Sequence, residues 1–133
     1  MGGRLTLFGK PLIRSVFVME RIMFKSKIHR ATLTALKLDY EGSISIDSDL
    51  LKAADILPGE QVHVLNCSNG DRLITYAIEA PAGSGTIMLN GPAARNGYIG
   101  DKVVIITYAN YSDSAAHAHK PTVVKVDDQN RVK

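Results

Sequence analysis

Residues Gln61-Val62-His63-Val64-Leu65-Asn66-Cys67, Ser68-Asn69-Gly70-Asp71 and Arg72-Leu73-Ile74-Thr75-Tyr76-Ala77-Ile78-Glu79 read as strand, turn and strand. Val62 and Val64 share one face at the period of two that a pleated strand imposes. Asn69-Gly70 is a strong hairpin signal, because both residues tolerate the positive φ of a tight turn. From this hairpin outward the chain reads as mainly β.

Upstream, Leu57-Pro58-Gly59-Glu60 turns the chain. A short helix over Asp49–Ala54 precedes it, with Asp47 or Ser48 as N-cap. Ile44 to Ile46 is extended. Phe24 to Leu38, rich in Thr and alternating residues, reads as a strand that bends near Ala35. On such a strand Lys25, Lys27 and His29 share one face.

Downstream, Pro81–Gly85 is a loop and Thr86–Asn90 a short strand. Gly91-Pro92-Ala93-Ala94 opens a helical turn with Pro in its favoured early position. Lys102–Tyr111 is a long strand, Ser112–His119 a loop or short helix, and Thr122–Val126 a last strand. Gly59-Glu60-Gln61-Val62-His63-Val64 and Gly100-Asp101-Lys102-Val103-Val104-Ile105 form a faint repeat: glycine, acid, polar residue, then β-branched residues. Many short strands with turn signals point to a closed barrel or a sandwich with small helices.

The length of 133 residues suits one domain with one core. A formal charge of +3, with scattered basic residues, gives no nucleic-acid footprint. No run approaches the ~20 apolar residues of a membrane span. The single Cys67 excludes an internal disulfide and is read as a buried structural thiol, suiting a reducing cytoplasm. His117 and His119 lack a Cys or acid partner pattern, so no metal site is assigned. Residues 1–22 carry Arg4, Lys10, Arg14 and Arg21 among apolar residues but no signal-peptide core. They are read as an N-terminal extension of unknown role, with Met23 as the natural start and 23–133 as the single folded domain.

Tyr40-Glu41-Gly42-Ser43 is, alone, an ordinary turn. Its neighbours give it chemical interest. Arg72 offers a planar fork for a carboxylate. Tyr76 falls on the same strand face as Arg72, with Ile74 between them, and a phenol is a usable general acid. Thr75 points to the opposite face.

The motifs Lys27-Ile28-His29-Arg30, Tyr40-Glu41-Gly42-Ser43, Asn69-Gly70, Arg72 with Thr75-Tyr76, Asn90-Gly91-Pro92-Ala93-Ala94 and Gly100-Asp101 are specific in their order and spacing. Together they resemble the bacterial aspartate 1-decarboxylases, pyruvoyl-dependent enzymes that make β-alanine for pantothenate and coenzyme A. The resemblance covers nearly all of residues 23–133. It implies a double-psi β-barrel that assembles as a cytoplasmic homotetramer, with sites between neighbouring subunits.

It also implies a proenzyme. The Ser43 hydroxyl would attack the Gly42 carbonyl, β-elimination would cut the chain, and Ser43 would become a pyruvoyl group, so that no pyridoxal phosphate is used. Glycine on the acyl side permits the conformation this attack needs. By resemblance Thr75 donates to the Gly42 carbonyl. The pyruvoyl carbonyl then forms a Schiff base with L-aspartate, and the carbanion left by CO2 loss is delocalised into it. Tyr76 is by resemblance the proton donor. Lys27, His29 and Arg72, with Asn90, Gly91, Pro92 and Ala93, bind substrate.

Some members have Ala at the position of Pro92 and Trp at that of Leu65. Whether maturation needs a helper protein stays open. Two alternatives stand beside this one: an uncut β-barrel binding or scaffold module, and a pyruvoyl decarboxylase of another amino acid. A site shared between subunits is the favoured way to bring Thr75 and Tyr76 together.

Overall fold

The computed structural model describes residues 6–7, 9–11 and 19–133. Two dipeptide strands, β1 (Thr6–Leu7) and β2 (Lys10–Pro11), pair antiparallel. The rest of residues 1–18, and the reading of that extension with them, lies outside the described residues.

The domain is built from β3 (Glu20–Thr32), β4 (Ala35–Lys37), β5 (Ser43–Asp47), α1 (Ser48–Ala53), β6 (Gln61–Asn66), β7 (Arg72–Ala80), β8 (Ile87–Asn90), a 3-10 helix (Gly91–Asn96), β9 (Lys102–Ser112), α2 (Asp113–Ala118) and β10 (Thr122–Lys125). The hydrogen-bonded order is β10-β3-β9-β6-β7-β5-β8-β4. Parallel pairs (β10 with β3, β5 with β7, β4 with β8) join antiparallel ones in a double-psi β-barrel. The two repeat segments start β6 and β9, which lie side by side and antiparallel, with Val64 opposite Ile105. Gly59 and Gly100 both take positive φ, +87° and +96°.

β3 starts upstream of Met23, with Glu20 opposite Ser112. It carries two irregularities, between Phe24 and Ser26 and between Ile28 and Ala31. The first makes Lys25 an extra residue. Its Nζ bonds Glu60 Oε2 and the Asp55 carbonyl, both at 2.6 Å, which removes it from the group formed by Lys27 and His29. The bend expected near Ala35 is a break at Leu33–Thr34. There the chain leaves β9 and joins β8: Leu33 N–H donates to Asp101 O, and Thr34 N–H to Ile87 O.

Alternate residues of β6 and of the first half of β9 point inward, while all five residues of β5 are buried. Ile28, Ile44, Ile46, Val62, Val64, Ile87, Leu89, Val103 and Ile105 fill the barrel, and Leu50 of α1 joins the same core. Each such side chain contributes about 1.5–3 kcal/mol by leaving water. Asp47 closes one end. It is buried and accepts from the backbone N–H of Asp49 (2.8 Å), Gly83 (3.1 Å) and Gly85 (2.9 Å). It thus caps α1 and fastens the 81–86 loop. Burial opposes its charge, but those three N–H groups and Arg131 outweigh this and hold its carboxyl below the usual range.

Cys67 is exposed, contrary to the buried thiol expected from its residue type. It is the first residue past β6, where the hairpin turn carries its side chain off the barrel wall. α2 realises the helical alternative for 112–119, capped by Ser112. No helix among the described residues is long and apolar enough to cross a membrane. Among the same residues no group of three or more His, Cys, Asp or Glu is arranged to hold a metal.

Candidate active site

Ser43 opens β5 and lies directly opposite Asn90, the last residue of β8. Both are fully buried. The Ser43 hydroxyl donates to the Glu41 carbonyl at 2.9 Å, and Asn90 Nδ2 donates to Ser43 Oγ at 3.0 Å. The Ser43 hydroxyl oxygen is therefore fixed from two sides, next to the Gly42–Ser43 peptide. The second Asn90 Nδ2 proton goes to Ser45 Oγ at 2.9 Å. Asn90 precedes the 3-10 helix but makes no side-chain cap to it, because its carboxamide is turned to the two serines.

Gly91 shapes the seat of the 40–42 segment. It sits at φ +63°, and a Cβ there would lie 2.6 Å from Tyr40 O and 2.8 Å from Gly42 N. Only a residue without a side chain admits that approach. Gly42 is exposed, and a Cβ there would lie 3.7 Å from Pro92 Cδ.

Thr75 and Tyr76 meet this segment from the two faces of β7. The β5–β7 register sets Ile44 beside Ala77, so the preceding residues of both strands run out together. Thr75 shares a cleft of about 320 Å³ with Gly42, Leu73, Pro92, Ala93 and Asn96. It makes no hydrogen bond to Gly42 in this conformation. Tyr76 OH donates to Glu41 Oε2 at 3.3 Å. Its pKa is raised, first by burial and then by the Glu41 carboxylate, so the phenol keeps its proton. One chain alone therefore brings both residues to the Glu41–Gly42 segment, and a shared site is not needed to reconcile their opposite faces.

Arg72 shares the outer face of the same strand, two pleats from Tyr76. Its Nη1 donates to His63 Nδ1 at 3.1 Å and lies 3.5 Å from Tyr108 OH. His63 packs edge-on against Tyr108, with ring centroids 4.9 Å apart. Both rings line an adjoining cleft with Gln61 and Asn110.

Lys27 and His29 are elsewhere. They lie on β3, and β9, β6 and β7 stand between β3 and β5. At about 4.8 Å per strand spacing, β3 and β5 are about 19 Å apart around the barrel wall. Lys27 Nζ stands 5.5 Å from the Phe24 ring centroid. His29 Nδ1 is buried without a partner. Burial, then Lys27, Arg30 and Lys125, lower its pKa, so the imidazole is kept neutral among cations.

Glu41, Ser45 and Tyr108 were not singled out from the sequence. Ser45 had a signal: in a strand, i+2 from Ser43 is the same face.

A family model described as aspartate decarboxylase matches residues 19–133. The chain is 57% identical over 114 residues to the aspartate 1-decarboxylase of Heliobacterium modesticaldum, covering 86% of each chain. It is 57% identical over 110 residues to that of Dehalococcoides mccartyi, covering 83% of this chain and 89% of the relative. With that of Maricaulis maris it shares 54% over 114 residues, covering 86% of this chain and 94% of the relative.

Proposed function

The chain belongs to the aspartate decarboxylase family, and on that premise we propose that it is an aspartate 1-decarboxylase that makes its own catalytic group from Ser43. The observation that carries the reading is the Ser43 hydroxyl, buried and held between Glu41 O and Asn90 Nδ2 beside the Gly42 carbonyl.

In the maturation step Ser43 Oγ attacks the Gly42 carbonyl carbon, and the Gly42–Ser43 C–N bond breaks to leave an ester and a free amine. Removal of the Ser43 Cα proton then expels the Gly42 carboxylate, which carries away the former Oγ. Water replaces the nitrogen of the resulting dehydroalanine, ammonia leaves, and residue 43 becomes pyruvoyl. Donors near a developing oxyanion are worth several kcal/mol, typically ~3. Thr75, in the cleft beside Gly42, is the candidate for that role.

The residues around Ser43 fit such a group: the Asn90 carboxamide has protons to donate at residue 43, and both residues are buried in the uncut chain. When formed, the group supplies an electron sink for the carbanion left by loss of CO2. The chain's own residues do the rest. Arg72 binds a carboxylate of L-aspartate through its fork. Tyr76, kept protonated, returns a proton to Cα. Asn90, Gly91, Pro92 and Ala93 line the turn against the processed end.

Lys27 and His29, on the far side of three strands, act on the site of a neighbouring subunit in a homotetramer. The neutral His29 among Lys27, Arg30 and Lys125 forms a basic patch suited to an acidic substrate. The setting is cytoplasmic, and the β-alanine formed feeds pantothenate and coenzyme A synthesis.

The test is release of CO2 and β-alanine from L-aspartate by the purified protein, with L-glutamate as comparison. Activity on aspartate that vanishes in Ser43→Ala supports the reading. Comparable turnover of glutamate, or an active Ser43→Ala variant, overturns it.

A further inference from the structure

Among the described residues the Asn90 side chain has two polar partners, both serines of β5. Its Nδ2 protons go to Ser43 Oγ at 3.0 Å and Ser45 Oγ at 2.9 Å. Its Oδ1 is buried with no partner among the same residues. Two hydroxyls therefore orient this carboxamide. Asn90 and Ser43 are 0% exposed and Ser45 6% in the uncut chain. Ser45 lies two residues beyond Ser43 on the same strand face, opposite Met88 where Ser43 is opposite Asn90.

The two serines have different fates if Ser43 is converted as proposed above, a reading on which this inference rests. The elimination removes Oγ from residue 43, because that oxygen leaves in the Gly42 carboxylate. One of the two groups orienting Asn90 is then gone. We propose that Ser45 is the positioning residue that holds the Asn90 carboxamide after conversion, keeping its second N–H available to residue 43. A carboxamide is nearly symmetric in shape, so packing alone does not distinguish its two flipped orientations. Flipped, Asn90 would set Oδ1 against the electron-rich carbonyl and withdraw the N–H that polarises it for attack by the substrate amine. The Ser45 hydroxyl, accepting one Nδ2 proton, is the hydrogen bond left to hold the carboxamide in place. It touches neither substrate nor the reacting atoms and acts only through Asn90.

The test compares Ser45→Thr with Ser45→Val, near-isosteric variants that differ in the hydroxyl, and adds Ser45→Ala. The fraction of chains carrying the pyruvoyl end is measured by intact mass, and kcat is expressed per pyruvoyl-bearing chain. Ser45→Thr is expected to retain most of the turnover. Ser45→Val and Ser45→Ala should lose about tenfold in kcat, the scale of one misdirected hydrogen bond, with KM little changed. In an Asn90→Ala background the same Ser45 substitutions should have no further effect. Wild-type kcat per pyruvoyl chain in Ser45→Ala would overturn the proposal, as would a loss that persists unchanged without Asn90. A wild-type protein with no pyruvoyl end at all would instead defeat the maturation reading beneath it. Should Ser45→Ala not fold, the Thr and Val pair carries the same comparison.

Discussion

The Tyr76 phenol donates to the Glu41 carboxylate across 3.3 Å, which ties the candidate proton donor to the residue just before Gly42. Tyr76 and the Glu41–Gly42 segment are thus brought together by one β5–β7 register, within a single chain. The hydroxyl is assigned to protonating Cα and has no assigned part in cutting the chain. Tyr76→Phe should therefore cleave normally and lose about 10²–10⁴-fold in kcat, the usual worth of a positioned general acid. Gel separation of the two fragments and a turnover assay check this. An uncut, folded Tyr76→Phe chain would move Tyr76 into the maturation step.

Lys27 and Ser43 lie four strand steps apart in the sheet order, and Lys27 is proposed to serve a neighbouring chain's site. Lys27→Ala and Ser43→Ala should each be nearly inactive alone. Co-expressed, they should recover up to about a quarter of wild-type turnover per chain, from random pairing of intact Ser43 with a neighbour's intact Lys27. No recovery in mixed assemblies would place Lys27 outside the shared site.

Gly91→Ala should slow or block cleavage. The added methyl meets Tyr40 O at 2.6 Å, Gly42 N at 2.8 Å and Gly42 Cα at 2.9 Å, all backbone atoms, so the 40–42 segment has to move. The positive φ adds strain, and the combined stability loss should exceed about 1 kcal/mol. Uncut precursor accumulating with a lowered Tm is the expected result. Wild-type cleavage with unchanged Tm would mean the segment is not seated on Gly91.

Asp47 makes stability depend on acid. Its folded pKa lies below the unfolded one, so its contribution is complete above the ordinary carboxyl range near ~3.9 and is lost as pH falls through the depressed value. Asp47→Ala leaves three backbone N–H groups without their acceptor and should cost about 1–3 kcal/mol at pH 7. The Tm gap between wild type and variant should close on acidification below about pH 4. A gap that stays constant to lower pH would show that the charge of Asp47 does not matter.

The strands were legible in the sequence because their signals are local. Asn69-Gly70, the period-two valines and the β-branched run at 103–106 each act within a few residues. The cap at Asp47 and the helix after it were legible for the same reason. The order of the strands was not, because parallel pairs such as β5 with β7 join residues far apart in sequence; the double-psi barrel came from resemblance. The break at Leu33–Thr34 read only as a bend, since exchanging β9 for β8 leaves no local mark. At the site, Gly42-Ser43 stood out by its company of motifs. What the residues alone did not tell was contact: that Glu41 meets Tyr76, that Arg72 is held by His63, and that Ser45 shares Asn90 with Ser43. The exposed Cys67 shows the opposite failure, a residue-type habit overruled by its place at the hairpin turn.

The central claim is that the chain cuts itself between Gly42 and Ser43 and converts Ser43. Intact-mass analysis of the purified wild-type protein after prolonged incubation tests it most directly. The account predicts two chains, one ending at Gly42 and one starting at residue 43 with a pyruvoyl-blocked end. A single uncut polypeptide, or a second chain with a free serine at its start, would contradict it.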